Sequence, residues 1–279
     1  MVVANPIPIF VINLDRDPER LDYMRREFAR VGLSFERLPG IYGTDLPLAL
    51  QSYFCDSEGT VISPLRVGEI GCYASHLTAW NYIVDRDLTS GALVCEDDIK
   101  LPDAMPRLLE RLIAQAPPGW DIIRLSSYTK KSISPVARLC GGYRLVRYWK
   151  ISVLAGAYLI SRSGAEKMLR PGLRTNPIDV DISRPWLFGI DSYGVVPTPI
   201  SQNTEQSTID TMEDRQHARR NRTRLRRLRD KTRSLPTKVR RGVYNLKSMG
   251  PADWLACLVQ NARHKITGRR FDWSSKMRD

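Results

Sequence analysis

The chain has 279 residues, of which 42% are hydrophobic, so it can bury a core of ordinary domain size. Its formal net charge of +13 is unevenly placed. Residues 1–214 hold 23 Lys and Arg against 26 Asp and Glu, whereas residues 215–241 hold 13 basic residues and one acidic residue. No apolar run is long enough to span a bilayer as a helix. We expect a near-neutral globular domain over 1–214 and a basic, helical extension over 215–279.

Apolar periodicity predicts alternating strands and helices along the first 200 residues. The N-terminal run IPIFVINL reads as a strand buried on both faces rather than as a signal peptide, and SFERLPGI, ALVC, DIIRL, RLVRYW, SVLAGAYLIS and GVVPTPI read as further strands. Helices are predicted from Pro18 to Gly32, over about 69–85 and 105–115, and from Ser163 to about Gly172. This alternation favours an α/β domain with a mostly parallel sheet and helices on both faces.

The cysteine spacing and the lack of glycine-rich loops argue against several kinds of site. The five cysteines are odd in number and scattered, with no C-x-x-C pair, which favours reduced thiols in a cytosolic protein over a disulfide framework or a structural zinc site. The sequence contains no internal repeat and neither of the common glycine-rich phosphate-binding loops.

Three consecutive acids follow the strand ALVC: Glu96, Asp97 and Asp98. In a parallel sheet, ligands bind beyond the carboxyl ends of the strands. If the extended geometry continues, Glu96 and Asp98 point to one side and Asp97 to the other. Two carboxylates on one side suit a hard divalent cation such as Mn²⁺ or Mg²⁺, and a solvated acidic turn is the alternative interpretation.

Five segments, in order and together covering about residues 8–210, resemble glycosyltransferase family 25, the lipooligosaccharide galactosyltransferase-like enzymes. They are FVINLDRDPERLDYM at 10–24, GEIGCYASHLTAWNYIV at 68–84, ALVCEDDI at 92–99, GAYLISRSGAEKML at 156–169 and PIDVDI at 177–182. The resemblance implies a GT-A-like, Rossmann-type fold in which an acidic motif after a strand holds Mn²⁺ against a UDP-sugar. Here the matching motif is Glu96-Asp97-Asp98. We expect Asp98 to bind the metal and Glu96 to bind the metal or the donor ribose.

The same resemblance points to further donor-binding residues: Asn13, Arg16, Arg20, Ser75 and His76. Arginine guanidinium groups at this edge of the sheet could bind phosphate oxygens through paired donors, and the alternative for Arg20 is an exposed helix residue that pairs with neighbouring acids. His76 could donate to the donor or acceptor, or serve as a buried structural histidine. Gly68 and Gly71 would permit close approach of an anion or serve packing alone.

The candidate general bases are carboxylates in the later part of the domain. Asp179 is preferred, with Asp181 and Asp191 as reserves, because an attacking acceptor hydroxyl must lose a proton. If PIDVDI is extended, Asp179 and Asp181 lie on one side. Ser207 or Thr208 could close over the donor.

The C-terminal extension predicts contact with an anionic surface. Residues 215–241 lack a broad apolar stripe, so burial is not expected there. In PADWLACLVQNARHKI, one predicted helix face carries Trp254, Leu255, Leu258, Val259, Ala262 and Ile266. An apolar face with basic flanks is typical of a helix in a membrane interface, and a helix docked on the domain is the alternative.

The leading hypothesis is a metal-dependent glycosyltransferase that moves galactose or glucose from a UDP-sugar to a lipopolysaccharide, lipooligosaccharide or related surface glycan. It would sit peripherally on the cytoplasmic face of the inner membrane, with inversion at the anomeric carbon as the family expectation. A nucleic-acid-binding protein using its Arg-rich tail is a second hypothesis, which the absence of a recognised nucleic-acid module disfavours. A non-catalytic scaffold with a sugar-nucleotide fold is a third.

Overall fold

A computed structural model describes residues 5–202, 235–268 and 271. The strands are β1 (Ile9–Asn13), β2 (Glu36–Pro39), β3 (Ala92–Glu96), β4 (Ile99–Lys100), β5 (Ile122–Arg124), β6 (Ile133–Arg138), β7 (Arg144–Tyr148), β8 (Ala157–Ile160), β9 (Ser192–Val196) and β10 (Ser201–Gln202). The helices are α1 (Pro18–Arg30), α2 (Leu48–Gln51), α3 (Val67–Asp85), α4 (Met105–Gln115), α5 (Arg162–Met168), α6 (Ile178–Ile182), α7 (Leu235–Met249) and α8 (Pro251–Thr267). Single 3₁₀ turns lie at Cys140–Gly142 and Pro185–Leu187.

Eight strands form one sheet in the order β2-β1-β3-β8-β5-β9-β7-β6, and β4 pairs separately with β10. Strand β1 is parallel to β2 and β3, and β5 is parallel to β9. The other pairings in the sheet are antiparallel. The predicted α/β class is confirmed, with the correction that the sheet is mixed, because β8 runs between β3 and β5 in the opposite direction.

Helices cover both faces of the sheet, as the sequence predicts. On β1, Phe10 packs into a cluster with the buried face of α3, whereas Ile9 and Val11 pack with α1 and α4 on the other face. Trp80 of α3 is fully buried. Burial of such large apolar side chains, at about 1.5–3 kcal/mol each, provides the main driving force for holding these layers together.

The strand directions give the sheet two distinct edges. In the four neighbouring strands β3, β8, β5 and β9, these residues are paired side by side: Ala92, Ile160, Ile122 and Ser192. Because β3, β5 and β9 all begin at this level, their carboxyl ends share the opposite edge, where Glu96 ends β3. Asp121 and Asp191 each precede a strand and therefore lie at the amino edge.

The two C-terminal helices dock on the domain through polar contacts. The backbone N–H of Ser192 donates to the Tyr244 hydroxyl at 3.0 Å, and the Asn245 amide donates to the backbone oxygen of Trp149 at 2.9 Å. On α8, the Asn261 side chain accepts from the backbone N–H of Ser132 at 3.2 Å. The alternative that residues 251–266 form a helix docked on the domain is therefore confirmed for one side of α8.

The other side of α8 remains exposed. Of its predicted apolar face, Trp254 packs against Trp149 with ring centroids 6.1 Å apart. The remaining members of that face are exposed: Leu255, Leu258, Val259, Ala262 and Ile266. Helix α7 adds a second exposed apolar row: Leu235, Val239, Val243 and Leu246. Within the described residues, no helix combines the length and apolar character needed to cross a membrane. The predicted domain boundary at 214/215 and the Arg-rich run up to residue 234 lie outside the described residues.

Candidate active site

The acidic triplet lies where the carboxyl ends of β1 and β3 meet. Strand β1 pairs with β3 so that Ile12 is level with Glu96, which places Asn13 beside the end of β3. The chain then turns at Asp97 and Asp98 before β4 begins. The predicted location of the triplet at this edge is confirmed, but the turn replaces the extended geometry that was expected for residues 97 and 98.

Asp97 is a supporting residue with its own partners. Its carboxylate accepts from the Asn13 amide at 2.7 Å and pairs with the Arg20 guanidinium at 2.6 Å. Burial raises the pKa of Asp97, although these two partners oppose the rise. Asn13 and Arg20 hold the acidic turn in place, so the structural alternative for Arg20 is found, with the correction that its side chain is mostly buried. Donor binding by either residue stays a prediction.

Asp98 carries charge that its neighbours do not fully balance. Arg20 approaches one carboxylate oxygen at 3.3 Å, while Oδ1 is buried and has no hydrogen-bond partner among the described residues. Burial, followed by the nearby Glu96 carboxylate, raises the pKa of Asp98 to about 6. A buried carboxylate oxygen without a donor, next to a second carboxylate, is an environment that favours a bound cation.

His76 faces the same site from helix α3. Its Nδ1 lies 2.7 Å from the Tyr158 hydroxyl, which also accepts a hydrogen bond from the Trp80 indole at 3.0 Å. Its Nε2 lies 3.7 Å from Oε1 of Glu96. The interpretation of His76 as a buried, supported histidine is confirmed. Its Nε2 is near the acidic cluster, and its contact with a donor or acceptor stays a prediction.

Cys72 was missed by the sequence analysis and lies beside these groups. It is accessible to solvent, and its thiol lies near several carboxylates. Desolvation, followed by the charges of Glu96, Asp179 and Asp98, raises the pKa of its thiol. The sequence pattern that could have revealed Cys72 is its spacing of four residues from His76 on a predicted helix, because residues at that spacing share one face.

Ser75 and Gly71 serve packing. The Ser75 hydroxyl donates to the backbone oxygen of Gly71 and accepts from the backbone N–H of Ile41, each at 2.8 Å. A Cβ at position 71 would lie 2.5 Å from the backbone oxygen of Ile41, so only glycine permits this approach. Both hydrogen-bond partners of Ser75 are therefore structural, and its predicted donor-binding role stays a prediction. Gly68 has open space around it, and Arg16 is exposed beside Tyr42.

Asp179 and Asp181 lie on helix α6, which corrects the extended geometry assumed for PIDVDI. Residues two apart on a helix point in different directions. Asp181 is buried and accepts from the Tyr73 hydroxyl at 3.1 Å and the Asn176 amide at 3.0 Å. Burial raises the pKa of Asp181 despite these bonds. Asp181 is committed to the packing of α6 against α3.

Asp179 is half-buried on α6 and lies within electrostatic range of the acidic cluster and of a buried arginine. Its charge acts on both the Cys72 thiol and the Arg124 guanidinium. Arg124 is fully buried and donates to the backbone oxygen of Ile182 at 3.1 Å, which ties it to the end of α6. Burial, opposed by nearby tyrosines and Asp179, lowers the pKa of Arg124 to about 10.

Asp191 lies at the opposite edge of the sheet. Its carboxylate forms a paired contact with Arg147, at 2.5 and 3.0 Å, and accepts from the Tyr193 hydroxyl at 2.9 Å. The proposal of Asp191 as a reserve base is therefore corrected, because residues at the two edges cannot act on one acceptor. Ser207 and Thr208 lie outside the described residues.

Residues 6–183 match the family model "Glycosyltransferase family 25 (LPS biosynthesis protein)". A "Glycosyltransferase 25 family member" of Aedes aegypti is 30% identical over 196 residues, which is 64% of this chain and 30% of that protein. "Procollagen galactosyltransferase 1" of Danio rerio is 30% identical over 189 residues, or 61% of this chain and 30% of that protein.

A relative named inactive also matches. "Inactive glycosyltransferase 25 family member 3" of Mus musculus is 28% identical over 195 residues, covering 61% of this chain and 30% of that protein. The chain spans about 30% of the length of these curated relatives. The α/β fold, the acidic cluster at the carboxyl edge and the match over residues 6–183 agree: the chain belongs to glycosyltransferase family 25.

Proposed function

We propose that this protein transfers a hexose, galactose first and glucose second, from a UDP-sugar to a glycan acceptor of lipopolysaccharide, lipooligosaccharide or a related surface glycan. The observation that carries the proposal is the buried, unpartnered Oδ1 of Asp98 beside Glu96 at the end of β3. Galactose is placed first because curated relatives are named procollagen galactosyltransferases. Inversion at the anomeric carbon is kept as the family expectation.

The residues at the end of β3 fit a divalent cation. Glu96 and Asp98 offer carboxylate oxygens, the ligands that Mn²⁺ and Mg²⁺ prefer. When bound, such a cation stabilises the negative charge that develops on departing UDP, acting as a Lewis acid. Arg20 bridges Asp97 and Asp98 and so fixes the turn that presents these oxygens.

Asp179 is the residue that we assign as general base. A base must accept the proton of the acceptor hydroxyl as that oxygen attacks the anomeric carbon. Asp181 is buried and already accepts two hydrogen bonds, whereas Asp179 is half-buried and lies within electrostatic range of the thiol of Cys72 at the acidic cluster. Arg124, buried and bonded to the end of α6, places a positive charge near this position.

The test is a donor-hydrolysis screen of the full chain with several UDP-sugars, with Mn²⁺, with Mg²⁺ and with EDTA. We expect UDP release from one UDP-hexose, dependent on the divalent cation. Family membership alone does not decide this, since one relative is named inactive. Absence of hydrolysis and transfer with every donor would instead support the non-catalytic scaffold. Tight, salt-sensitive binding of nucleic acid without hydrolysis would support the nucleic-acid alternative.

We further propose that the protein works as a peripheral protein at the cytoplasmic face of the inner membrane, where a lipid-linked acceptor is presented. Support comes from the exposed apolar rows of α7 and α8. Leu255 is 55% exposed and Ile266 is 84% exposed on a helix whose polar side is already docked. Arg263 and Lys265 flank that row, and each basic residue near an anionic leaflet contributes up to about 1 kcal/mol.

Liposome cosedimentation tests this location. The intact protein should sediment with anionic vesicles at low salt and less at high salt, because screening weakens the basic contribution. The double variant Leu255→Gln with Ile266→Gln should lose binding, whereas Leu48→Gln, a matched change at an exposed leucine on α2, should keep it. Equal binding by all three proteins, or preference for nucleic acid over vesicles, would contradict the membrane proposal. Point variants are preferred to truncation because α7 and α8 pack on the domain.

A further inference from the structure

Three chemically different metal ligands converge at the edge of the acidic cluster. The ligating atoms of Cys72, His76 and Glu96 all lie within 4.8 Å of one another. His76 Nε2 and Glu96 Oε1 are already 3.7 Å apart. Atoms bound tetrahedrally to one zinc ion at its usual bond lengths lie about 3.5 Å apart, so small side-chain rotations bring this set to coordination distance.

Rigid elements hold the three ligands. Cys72 and His76 are four residues apart on α3, which puts both side chains on one face of a 19-residue helix. Glu96 is the last residue of β3, which is an interior strand of the main sheet. The Cys72 thiol is accessible to solvent, so a cation can reach the cluster from that side.

A supporting hydrogen bond orients the histidine. His76 Nδ1 lies 2.7 Å from the Tyr158 hydroxyl, and the Trp80 indole holds that hydroxyl in turn. With a cation on Nε2, the ring keeps its proton on Nδ1 and donates it to the Tyr158 oxygen. Histidine ligands in proteins are commonly fixed in this way through their other nitrogen.

We infer that Cys72, His76 and Glu96 form a binding site for a thiophilic divalent cation, with Zn²⁺ as the first candidate. A sulfur, an imidazole nitrogen and one carboxylate select zinc or cobalt over Mn²⁺ and Mg²⁺, which prefer oxygen. Binding replaces the S–H bond of Cys72 by a sulfur–metal bond and releases the proton to solvent. Three protein ligands leave a fourth position for water, as in catalytic rather than structural zinc sites.

This site differs in its ligands from the carboxylate pair Glu96 and Asp98, but it shares Glu96. A zinc ion on Cys72 and His76 would therefore compete with Mn²⁺ for that carboxylate. We expect Zn²⁺ to inhibit Mn²⁺-dependent hydrolysis in the wild type. Inhibition should weaken in Cys72→Ser when each protein is normalised to its own activity without zinc.

Cobalt spectroscopy tests the site without reference to catalysis. Co²⁺ added to the metal-free full chain should give a thiolate-to-cobalt charge-transfer band in the near ultraviolet and intense visible bands of tetrahedral cobalt. One equivalent of Zn²⁺ should remove both. Cys72→Ser should lose the charge-transfer band, and Cys140→Ser, a change at a half-buried cysteine elsewhere, should retain it.

Alkylation of the wild type gives a second measurement that needs no variant. At a zinc concentration 100 times the Kd, about 1% of the site is free, so iodoacetamide should modify Cys72 about 100-fold more slowly, with Cys140 unaffected. The inference is overturned if the wild type gives no charge-transfer band, if Cys72→Ser keeps it, or if zinc leaves Cys72 alkylation unchanged. A cobalt band without UDP-sugar hydrolysis would keep the metal site and remove only the proposed function.

Discussion

The two edges of the main sheet carry similar residues in different electrostatic conditions. At the amino edge, Asp191 pairs with Arg147, and Asp121 accepts from Lys167 at 2.5 Å and from the backbone N–H of Asp191 at 2.7 Å. At the carboxyl edge, Glu96, Asp97 and Asp98 share one arginine, Arg20, which contacts only the last two. Both edges are acidic, but among the described residues each of these carboxylates has a cation of its own only at the amino edge.

On this difference we base the proposal that the amino-edge carboxylates are structural and the carboxyl-edge ones bind a ligand. A carboxylate paired with its own cation stabilises the fold and has little capacity left for a ligand. A group of carboxylates with too few cations destabilises the fold until a cation arrives. Burial and the neighbouring Glu96 charge raise the pKa of Asp98, as expected from this imbalance. Such perturbed groups in a cleft are where function is expected. Variants at the two edges should therefore affect different properties.

The largest effect is expected from Asp98→Ala on catalysis. Loss of this oxygen ligand should lower Mn²⁺-dependent UDP-sugar hydrolysis and transfer by roughly 10³-fold or more, since metal stabilisation of the leaving group contributes several kcal/mol. Initial rates over a range of Mn²⁺ concentrations measure this. Asp191→Asn, at the other edge, is the matched control and should keep the rate of its folded fraction. Comparable turnover by Asp98→Ala, or by wild type in EDTA, would remove the metal assignment.

A slightly smaller effect is expected from Asp179→Asn. The variant should bind UDP-sugar normally and show a kcat lower by roughly 10²–10⁴-fold at saturating acceptor, the usual contribution of a general base. Isothermal titration with UDP-sugar and steady-state transfer assays measure the two quantities separately. If Asp181→Asn is inactive while folded and Asp179→Asn is not, the base is Asp181. A loss of donor affinity as large as the loss of rate would place Asp179 in the donor site.

The next effect concerns stability and its pH dependence. The pKa of Asp98 rises from its ordinary value of 3.8 to about 6 in the folded chain, so the folded chain holds this proton more tightly than the unfolded chain does. The metal-free protein therefore loses stability from this group as the pH rises through about 6. Asp98→Asn removes the charge and should raise the free energy of unfolding by on the order of 2–3 kcal/mol above about pH 7.

Urea unfolding in EDTA at several pH values checks this. The advantage of Asp98→Asn should shrink below about pH 6 and vanish below about pH 4, where the wild-type carboxyl is protonated in both states. A pH-independent difference would mean that Asp98 is not under electrostatic strain. Saturating Mn²⁺ should stabilise the wild type and not the variant, because only the wild type keeps the ligand.

Much of the fold could be predicted from the sequence. The features that could not be predicted depend on contacts between residues far apart in the chain. Apolar periodicity predicted α1, α3 and α4, and the position of Glu96 after a buried strand predicted the site edge. The direction of β8 was not predictable, because its hydrogen bonds join it to strands more than 30 residues away. Helix α6 is five residues long, too short to leave a periodic pattern.

The partners of the site residues were the least predictable part. Asn13 binds Asp97 across 84 positions, so its structural role has no local sequence pattern. Cys72 was set aside because no second cysteine lies nearby, although its helical spacing from His76 was visible. That spacing gains meaning only when Glu96 is known to lie opposite the same turn of α3. The family resemblance and local chemistry predicted candidate residues, and long-range pairing decides which contacts each one makes.

The smallest effect is expected at the amino edge, from Asp191→Asn. The change leaves the Arg147 guanidinium, whose side chain is 13% exposed, without its paired carboxylate. Breaking a partly buried pair of this kind should lower the free energy of unfolding by about 1–3 kcal/mol. Asp22→Asn is the matched control, because Asp22 pairs with Arg25 at 2.7 Å on the surface, where such pairs contribute about 0–1 kcal/mol. Thermal unfolding with and without Mn²⁺ measures both, and the two variants should gain as much stability from Mn²⁺ as the wild type. If Asp191→Asn instead raises stability as Asp98→Asn does, the two edges are electrostatically alike and the distinction between them fails.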